Sequence, residues 1–369
     1  METIELTATE IVPEKKKLKI CVYGISKNEE MFIKRWADSA WEADLVLLAD
    51  TGSDDDTVKI AKENGVQVHH IHIKPWRFDT ARNASMVLIP SDFDVCISLD
   101  VDEVLEPGWR EEIERLWQPN TTRLRYLFTW GPGKTFYHVK IHSRHGHYWR
   151  HLVHEIPVTD SRTPEVFAYS DKILITHHPD ASKSRGQYYD MLEACVLEDP
   201  YCCRNAFYWA RENFYYGKWE KAIELLQKYL DMPSATWDAE RSYAYVTMGK
   251  CYEALGNARE AEKAFYKGAF EAPHAREGWV SLSDLCYKHG RWPESYAFAK
   301  RAIDITHQQN VYTEDPACWS WRPWDFAAIS AFRLGIKEEA IKYGEKALEY
   351  APEDERLANN LKWYKGEIA

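Results

Sequence analysis

The sequence predicts an α/β domain with a mostly parallel sheet, followed by an all-α domain of helical hairpin repeats. Apolar segments typical of buried strands alternate with helical segments in the first hundred or so residues. After Pro200 the pattern changes to aromatic-rich helices in which a glycine recurs at similar intervals. A chain of 369 residues is also long for a single core, which favours two domains.

Four short strands and three helices are expected in the N-terminal part. The strands are predicted at 18–25, 43–50, 66–73 and 94–100, and the helices at 28–41, 54–64 and 79–89. Parallel strands joined by right-handed helical connections form an open sheet that binds ligands beyond the carboxyl ends of its strands. We therefore expect the polar residues that follow these strands to lie at one edge of the sheet.

The C-terminal repeat is defined by glycines followed five residues later by a small residue. The four pairs are Gly217 and Ala222, Gly256 and Ala261, Gly290 and Ser295, and Gly335 and Ala340. The glycines are 39, 34 and 45 residues apart, close to the tetratricopeptide period of about 34 residues. This predicts about four hairpins and a last helix near 355–368, with a plain helical bundle as the alternative. The expected boundaries are a tail at 1–16, the α/β domain at 17–185 and the repeats at 186–369.

The formal charge of −11 is unevenly distributed. No Asp or Glu occurs from Leu116 to His154, a window that contains Arg, Lys and His with aromatic residues between them. Within and beside this window, the candidates for contact with an acceptor molecule are Arg144, His147, Trp149, Arg150 and His154. This pattern allows a local basic surface inside an acidic protein.

The cysteine pattern and the N-terminal sequence indicate the compartment. The eight cysteines form no C-x-x-C pair and no regular framework, which is typical of reduced thiols. No signal-peptide core and no run of 18 apolar residues occurs. The expectation is a cytoplasmic protein of a bacterium or a phage-infected host cell.

Carboxylates at strand ends are the strongest candidates for chemistry. Asp100 and Asp102 flank Val101, and with Glu103 they could bind Mn²⁺ or Mg²⁺ with positions left open for phosphate oxygens. Asp50 could accept hydrogen bonds from a base or a ribose, although capping of the next helix is the alternative for its neighbours.

Further candidates are a helix start and a histidine. Asp79 and Arg82 begin a helix, so Arg82 could bind a diphosphate or could instead pair with Asp79. His177 could complete the coordination of a metal ion, although such a histidine is more often structural.

Six motifs in order resemble the family 2 glycosyltransferases of the GT-A fold. They are 26–30 (SKNEE), 50–55 (DTGSDD), 81–83 (ARN), 100–103 (DVDE), 153–155 (VHE) and 175–177 (ITH). The resemblance covers about residues 18 to 180, and the repeats look like the tetratricopeptide extension of one bacterial and phage-borne branch. The stretch after the histidine, His178-Pro179-Asp180, departs from that branch and leaves the acceptor side open.

The resemblance implies an inverting, metal-dependent transfer of a sugar from a nucleotide-sugar, such as a UDP-sugar, to a hydroxyl or thiol. The residues implied for nucleotide-sugar binding are Ser26, Asn28, Glu30, Asp50, Asp79, Arg82 and Asp100. Asp102 and His177 are implied as metal ligands, and Glu155 is the candidate catalytic base.

The acceptor and two other classes of protein stay open. The acceptor is expected to be a protein, a peptide or a cell-envelope glycan, with hydroxymethylated phage DNA as an alternative. The chain could instead be a non-catalytic interaction protein whose repeats bind a partner. A nucleotidyltransferase would share the strand-end carboxylates, but the chain lacks a Gly-rich basic first turn.

Overall fold

The computed structural model describes residues 17–131, 133–180 and 186–367. The tail predicted at 1–16 lies outside the described residues. The N-terminal elements, in chain order, are β1 (Ile20–Ser26), α1 (Ile33–Ser39), β2 (Leu45–Asp50), α2 (Thr57–Glu63), β3 (Gln67–His70), α3 (Phe78–Val87), β4 (Val95–Ser98), β5 (Glu103–Leu105), α4 (Trp109–Leu116), β6 (Arg123–Gly131), β7 (Lys134–Ser143), β8 (His147–Arg150), β9 (Ile156–Thr159) and β10 (Phe167–His177). The four strands and three helices expected up to residue 100 are all present.

The main sheet has eight strands in the order β3-β2-β1-β4-β7-β6-β10-β5. The first four strands are parallel, as is the pair of β6 and β10, whereas β7 is antiparallel to both β4 and β6, and β5 to β10. The prediction of a mostly parallel sheet is therefore wrong for its second half. The reason is that β6 and β7 are joined by a tight hairpin, and a hairpin forces antiparallel pairing.

Alternate residues of the central strands pack against opposite layers. Ile20 and Val22 of β1 belong to the core that contains Trp36 of α1. Cys21 and Tyr23 point to the other face, where Trp149 covers them. This alternation follows from the two-residue period of a strand.

The remaining helices form the repeat domain. They are α5 (Gln187–Glu198), α6 (Cys203–Tyr215), α7 (Trp219–Leu230), α8 (Asp238–Ala254), α9 (Ala258–Glu271), α10 (Glu277–Lys288), α11 (Trp292–Ile303), α12 (Pro316–Trp319), α13 (Trp321–Arg333), α14 (Lys337–Tyr350) and α15 (Glu355–Lys365). Four hairpins are formed by α6 with α7, α8 with α9, α10 with α11, and α13 with α14. The predicted hairpins and the last helix are confirmed.

The repeating glycines end the first helix of each hairpin. Gly217, Gly256, Gly290 and Gly335 have φ angles of 69°, 74°, 68° and 81°, a left-handed conformation that glycine adopts without steric cost. The small residues five positions later are fully buried where the two helices cross. The repeated sequence pattern therefore has a local backbone cause.

The first helices of the hairpins form one face of the repeat domain, which we call the inner face. α6 contacts α8, α8 contacts α10, and α10 contacts α13. Between α11 and α13 the chain does not connect directly: residues 305–315, which we call the crossing segment, run across the inner face before α12 begins. The extra length of the third interval, 45 residues, accommodates this segment.

Candidate functional sites: the sheet edge and the inner face

The sheet edge brings several of the predicted residues together, because β1, β2 and β4 end side by side. Asp50 is almost completely buried and accepts hydrogen bonds from Ser26 Oγ at 3.2 Å, from Ser53 Oγ at 2.5 Å and from Gly52 N at 3.1 Å. Burial opposes ionisation, but the hydrogen bonds from Ser53 and Gly52 hold the pKa of Asp50 below its usual value. Asp50 therefore organises its own loop.

Asn28 and Glu30 join the loop after β1 to the loop after β2. Asn28 N donates to Ser53 Oγ at 2.9 Å, and Asn28 Oδ1 accepts from Asp54 N at 3.0 Å. Glu30 Oε2 accepts from Asp56 N at 3.2 Å. These residues, which were predicted to bind a nucleotide-sugar, bind the neighbouring loop in the structure.

A buried ionic network lies beside them. Arg82 donates to Asp100 Oδ1 at 2.6 Å and to Ser98 Oγ at 3.1 Å, and it also pairs with Glu155. Lys140 Nζ lies 2.7 Å from both Asp100 Oδ2 and Glu103 Oε1. The alternative pairing of Arg82 with Asp79 is not found, because Arg77 binds Asp79 with two hydrogen bonds of 3.0 and 2.9 Å.

The charges of this network largely compensate one another. Burial alone would raise the pKa of Asp100, but Arg82 and Lys140 hold it well below its usual range. Burial raises the pKa of Glu103 to about 7, and Asp100 contributes to this shift while Lys140 opposes it. The carboxylate proposed as the catalytic base, Glu155, has a side chain that is only 9% exposed and faces Arg82.

The two predicted metal ligands are neighbours. Asp102 Oδ2 lies 3.2 Å from His177 Nε2, and the imidazole stacks on Trp130 with ring centroids 4.4 Å apart. In the part of the chain that the structure describes, no three His, Cys, Asp or Glu side chains are grouped as a metal site would require. The Mn²⁺ or Mg²⁺ site at Asp102 and His177 stays a prediction.

The residues predicted to contact an acceptor mostly hold the protein together. Trp149 is buried and donates to Tyr23 Oη at 2.9 Å, and Arg144 donates to the carbonyl oxygen of Ile89 at 2.7 Å. His147 lies 3.2 Å from Ser143 Oγ. Arg150 pairs with Asp199 at 2.6 Å and His154 stacks on Tyr208 at 4.3 Å, so both contact the repeat domain. All five of these residues therefore make contacts within the protein.

The crossing segment joins the sheet to the inner face. Its Asn310 carbonyl oxygen accepts from Tyr137 N of β7 at 3.0 Å. β4 pairs with β7 only through Val95–Ile97, so the rest of that edge of β7 is available to another extended segment. The crossing segment is thus positioned from the sheet side by a backbone hydrogen bond.

Tyr312 anchors the crossing segment on the inner face. Its ring contacts aromatic rings from three separate parts of the fold, with centroid distances of 5.5 to 6.5 Å to Trp237, Tyr208, Phe136 and Phe207. Its hydroxyl group donates to the buried Glu240 of α8. An aromatic ring in such a pocket stabilises an extended segment by apolar burial and ring packing.

A cavity of about 290 Å³ lies next to the crossing segment. α8, α10 and α13 form its walls, and Thr313 and Asp315 form one side. Its lining is mixed, with apolar Val246, Val280 and Phe326 and polar Tyr243, Lys250, Glu277, Ser281, Asp284, Cys318 and Arg322. Sequence reasoning missed this site, and the long third repeat interval was the only signal that could have indicated it.

Glu277, which lines this cavity, contributes to the pH dependence of the stability of the repeats. Burial raises its pKa to about 7, above the ordinary value of 4.5. Between these two values the folded chain keeps a proton that the unfolded chain has lost, so the free energy of unfolding falls as the pH rises from about 4.5 to about 7.

We expect Glu277→Gln to raise the free energy of unfolding at pH 8 by about 2–3 kcal/mol, because the amide cannot ionise. Its oxygen can still accept from Asp315 N and Trp319 Nε1, which lie 3.0 and 2.9 Å from Glu277 Oε1. Urea unfolding at several pH values measures the effect. Glu338→Gln on the exposed surface of α14 is the control, and an equal pH slope in wild type and Glu277→Gln would contradict the assignment.

Comparison with known proteins gives matches among solved structures only. No protein-family model and no curated protein matches the chain. A structure of MamA is 17% identical, with 46% of this chain and 89% of that chain covered and a TM-score of 0.37. PilF of Pseudomonas aeruginosa is 13% identical, with 48% and 72% covered and a TM-score of 0.38. YrrB, described as a TPR protein with an unusual peptide-binding site, is 15% identical, with 48% and 82% covered and a TM-score of 0.38.

These matches correct the resemblance stated above. They are tetratricopeptide-repeat proteins, and none of the structures just named is a glycosyltransferase. The prediction that this chain is a family 2 glycosyltransferase is therefore wrong. The predictions of an enzyme, of a transferase and of a UDP-dependent protein with an Asp-x-Asp metal motif are contradicted with it. The prediction of tetratricopeptide repeats, in contrast, is supported. The GT-A description of the N-terminal domain is not confirmed.

Several of the motifs that carried the resemblance are short polar clusters at strand ends. Such clusters also arise where loops and buried ion pairs must be satisfied, as Asp50 and Asp100 show.

No helix among the described residues is long and apolar enough to cross a membrane.

Proposed function

We propose that this chain is a protein-interaction protein that binds an extended segment of a partner on the inner face of its repeats. The observation that carries this proposal is the crossing segment. The chain's own extended residues already lie on this face, anchored by Tyr312, and a cavity of about 290 Å³ continues beside them. A face that holds one extended segment has the shape and the aromatic surface to hold another.

The chemistry of the cavity indicates what the partner segment carries. Val280 and Phe326 supply an apolar floor, which suits one apolar anchor side chain. Lys250 is exposed at the rim, and Asp284 at the same rim is already paired with Lys288 at 2.8 Å. A segment with an apolar anchor and a neighbouring carboxylate therefore matches the cavity and its exposed cation.

The proposal is tested by selecting peptides against the full chain. Panning a random peptide library is expected to enrich sequences with an apolar anchor beside an acidic residue, and calorimetry then gives their dissociation constants. Ser281→Trp fills the cavity from α10 and is expected to weaken binding at least tenfold, which corresponds to about 1.4 kcal/mol. Lys250→Glu should weaken binding because it reverses the charge at the rim.

Glu338→Trp places the same ring on the exposed surface of α14 and is the matched control. It is expected to leave peptide binding unchanged. If no sequence is enriched, or if Ser281→Trp and Glu338→Trp bind the selected peptides equally, the inner face is not the binding site and the proposal is wrong.

A further inference from the structure

Three cations converge at the end of the inner face that lies nearest the sheet. Arg204 and Arg211 are seven residues apart on α6, so they project from the same side of the helix, with Tyr208 between them. Their guanidinium carbons lie 4.7 and 4.4 Å from the centre of the Tyr208 ring. The third cation is Lys134, at the start of β7.

Lys134 reaches this position through the hairpin of β6 and β7. The adjacent Gly133 packs beside Pro316, with 3.7 Å between an ideal Cβ and the proline ring, and Phe136 contacts Tyr312. Arg211 lies 6.0 Å from the same Tyr312 ring. The start of β7 and α6 thus contribute cations to one group, Lys134, Arg204 and Arg211, which we call the cationic cleft.

None of the three cations has a carboxylate within 4.0 Å among the described residues. Within the described ranges, Arg204 donates to the carbonyl oxygen of His154 alone, at 3.2 and 3.4 Å. Arg211 Nε is buried and has no hydrogen-bond partner in the described chain. Burial lowers the pKa of Lys134, and the charge of Arg211 lowers it further. Leaving the buried Nε–H group of Arg211 without a partner is costly, and an anion beside it would supply the missing acceptor.

The acidic groups nearest the cluster are occupied. Glu240, whose charge acts on Arg204, accepts hydrogen bonds from Tyr229 and Tyr312. Asp315 pairs with Arg322 at 2.9 Å, and Glu314 accepts from Gln309 N at 3.0 Å. Asp315 is neutralised by Arg322, whereas Glu240, Glu277 and Glu314 act on the cations only from beyond 4.0 Å, so acidic groups of the described chain compensate the cationic cleft only in part.

We propose that Arg204, Arg211 and Lys134 bind a phosphate group. Two guanidinium groups and an ammonium group offer more donors and more positive charge than a single carboxylate can use, whereas a phosphate monoester has three acceptor oxygens and a charge near −2. The buried Tyr208 ring holds the two guanidinium groups in place through cation–π contacts of 4.7 and 4.4 Å. The site goes beyond the peptide cavity and does not depend on it, because its ligand is recognised by charge.

The test uses inorganic phosphate with the full chain. Phosphate is expected to raise the melting temperature of the protein in a saturable manner, whereas sodium chloride at the same ionic strength is not expected to raise it. Arg211→Gln and, from the other side of the cleft, Lys134→Gln should each weaken the phosphate dissociation constant at least tenfold. Using substitutions on two separate elements keeps the test valid even if one of them lowers stability.

Arg333→Gln is the matched control, because Arg333 is exposed and lies over Trp292 and Trp363 at 5.4 and 5.5 Å in the last hairpin, far along the chain from the cleft. It should leave phosphate binding unchanged. O-phosphoserine and adenosine monophosphate then distinguish a phosphorylated side chain from a nucleotide as the source of the phosphate. An effect of phosphate no larger than that of chloride, or equal losses in Arg211→Gln and Arg333→Gln, would overturn the proposal.

Discussion

Replacing Arg82 with Met is expected to lower the free energy of unfolding by about 3–5 kcal/mol. The reason is that the substitution removes the cation of a buried ion pair and leaves the carboxylate without its partner. Arg82 is the ion-pair partner of Glu155, and the side chains of the two residues are 6% and 9% exposed. Asp100 would keep Lys140 as its partner, whereas Glu155 would be left as a buried charge. Urea unfolding at neutral pH measures the loss.

A matched surface pair separates this effect from the loss of a charge in general. Arg162 is 89% exposed and lies 3.6 Å from Asp160, so Arg162→Met should cost less than about 1 kcal/mol. Adding Glu155→Gln to Arg82→Met should recover part of the loss, because it removes the uncompensated charge. Equal losses in Arg82→Met and Arg162→Met would show that the network does not stabilise the sheet edge.

Replacing Gly278 with Val is expected to destabilise the repeat domain by about 3 kcal/mol, because the contact between α9 and α10 has no room for a side chain. A Cβ atom at Gly278 would lie 2.6 Å from Ala269 N and 2.7 Å from Ala269 Cα. These are backbone atoms, so the helices themselves would have to move apart. Far-UV circular dichroism during urea unfolding measures the change.

Gly131→Val is the control, since nothing lies within 4 Å of an ideal Cβ at Gly131. Valine also favours a strand, so this change should alter stability by less than about 1 kcal/mol. Because repeat stability depends on the contacts between neighbours, Gly278→Val is also expected to broaden the transition. A sharp transition at the wild-type midpoint would show that α9 and α10 can separate without cost.

The sequence alone determined the elements whose causes are local. The positive φ of Gly217 and its equivalents favours glycine at each helix end. The recurring glycines therefore allowed the spacing of the hairpins to be predicted from the sequence. The alternation from Ile20 to Tyr23 placed side chains on both faces of a buried strand. The sequence also predicted that Asp50 and Asp100 lie at strand ends, and the structure places Asp50 at the end of β2 and Asp100 just after β4.

What those strand-end residues contact depends on how distant parts of the chain fold together. Arg82 pairs with Glu155, which is 73 residues away in the chain, and Lys140 pairs with Asp100, which is 40 residues away. The sequence alone does not show that residues so far apart in the chain lie close together in space. A carboxylate that would bind a metal and one that binds a buried arginine have the same local sequence. The same holds for the crossing segment. The long interval between repeats indicates how many residues are inserted, but the position of the segment depends on the packing of Tyr312 against rings from distant elements.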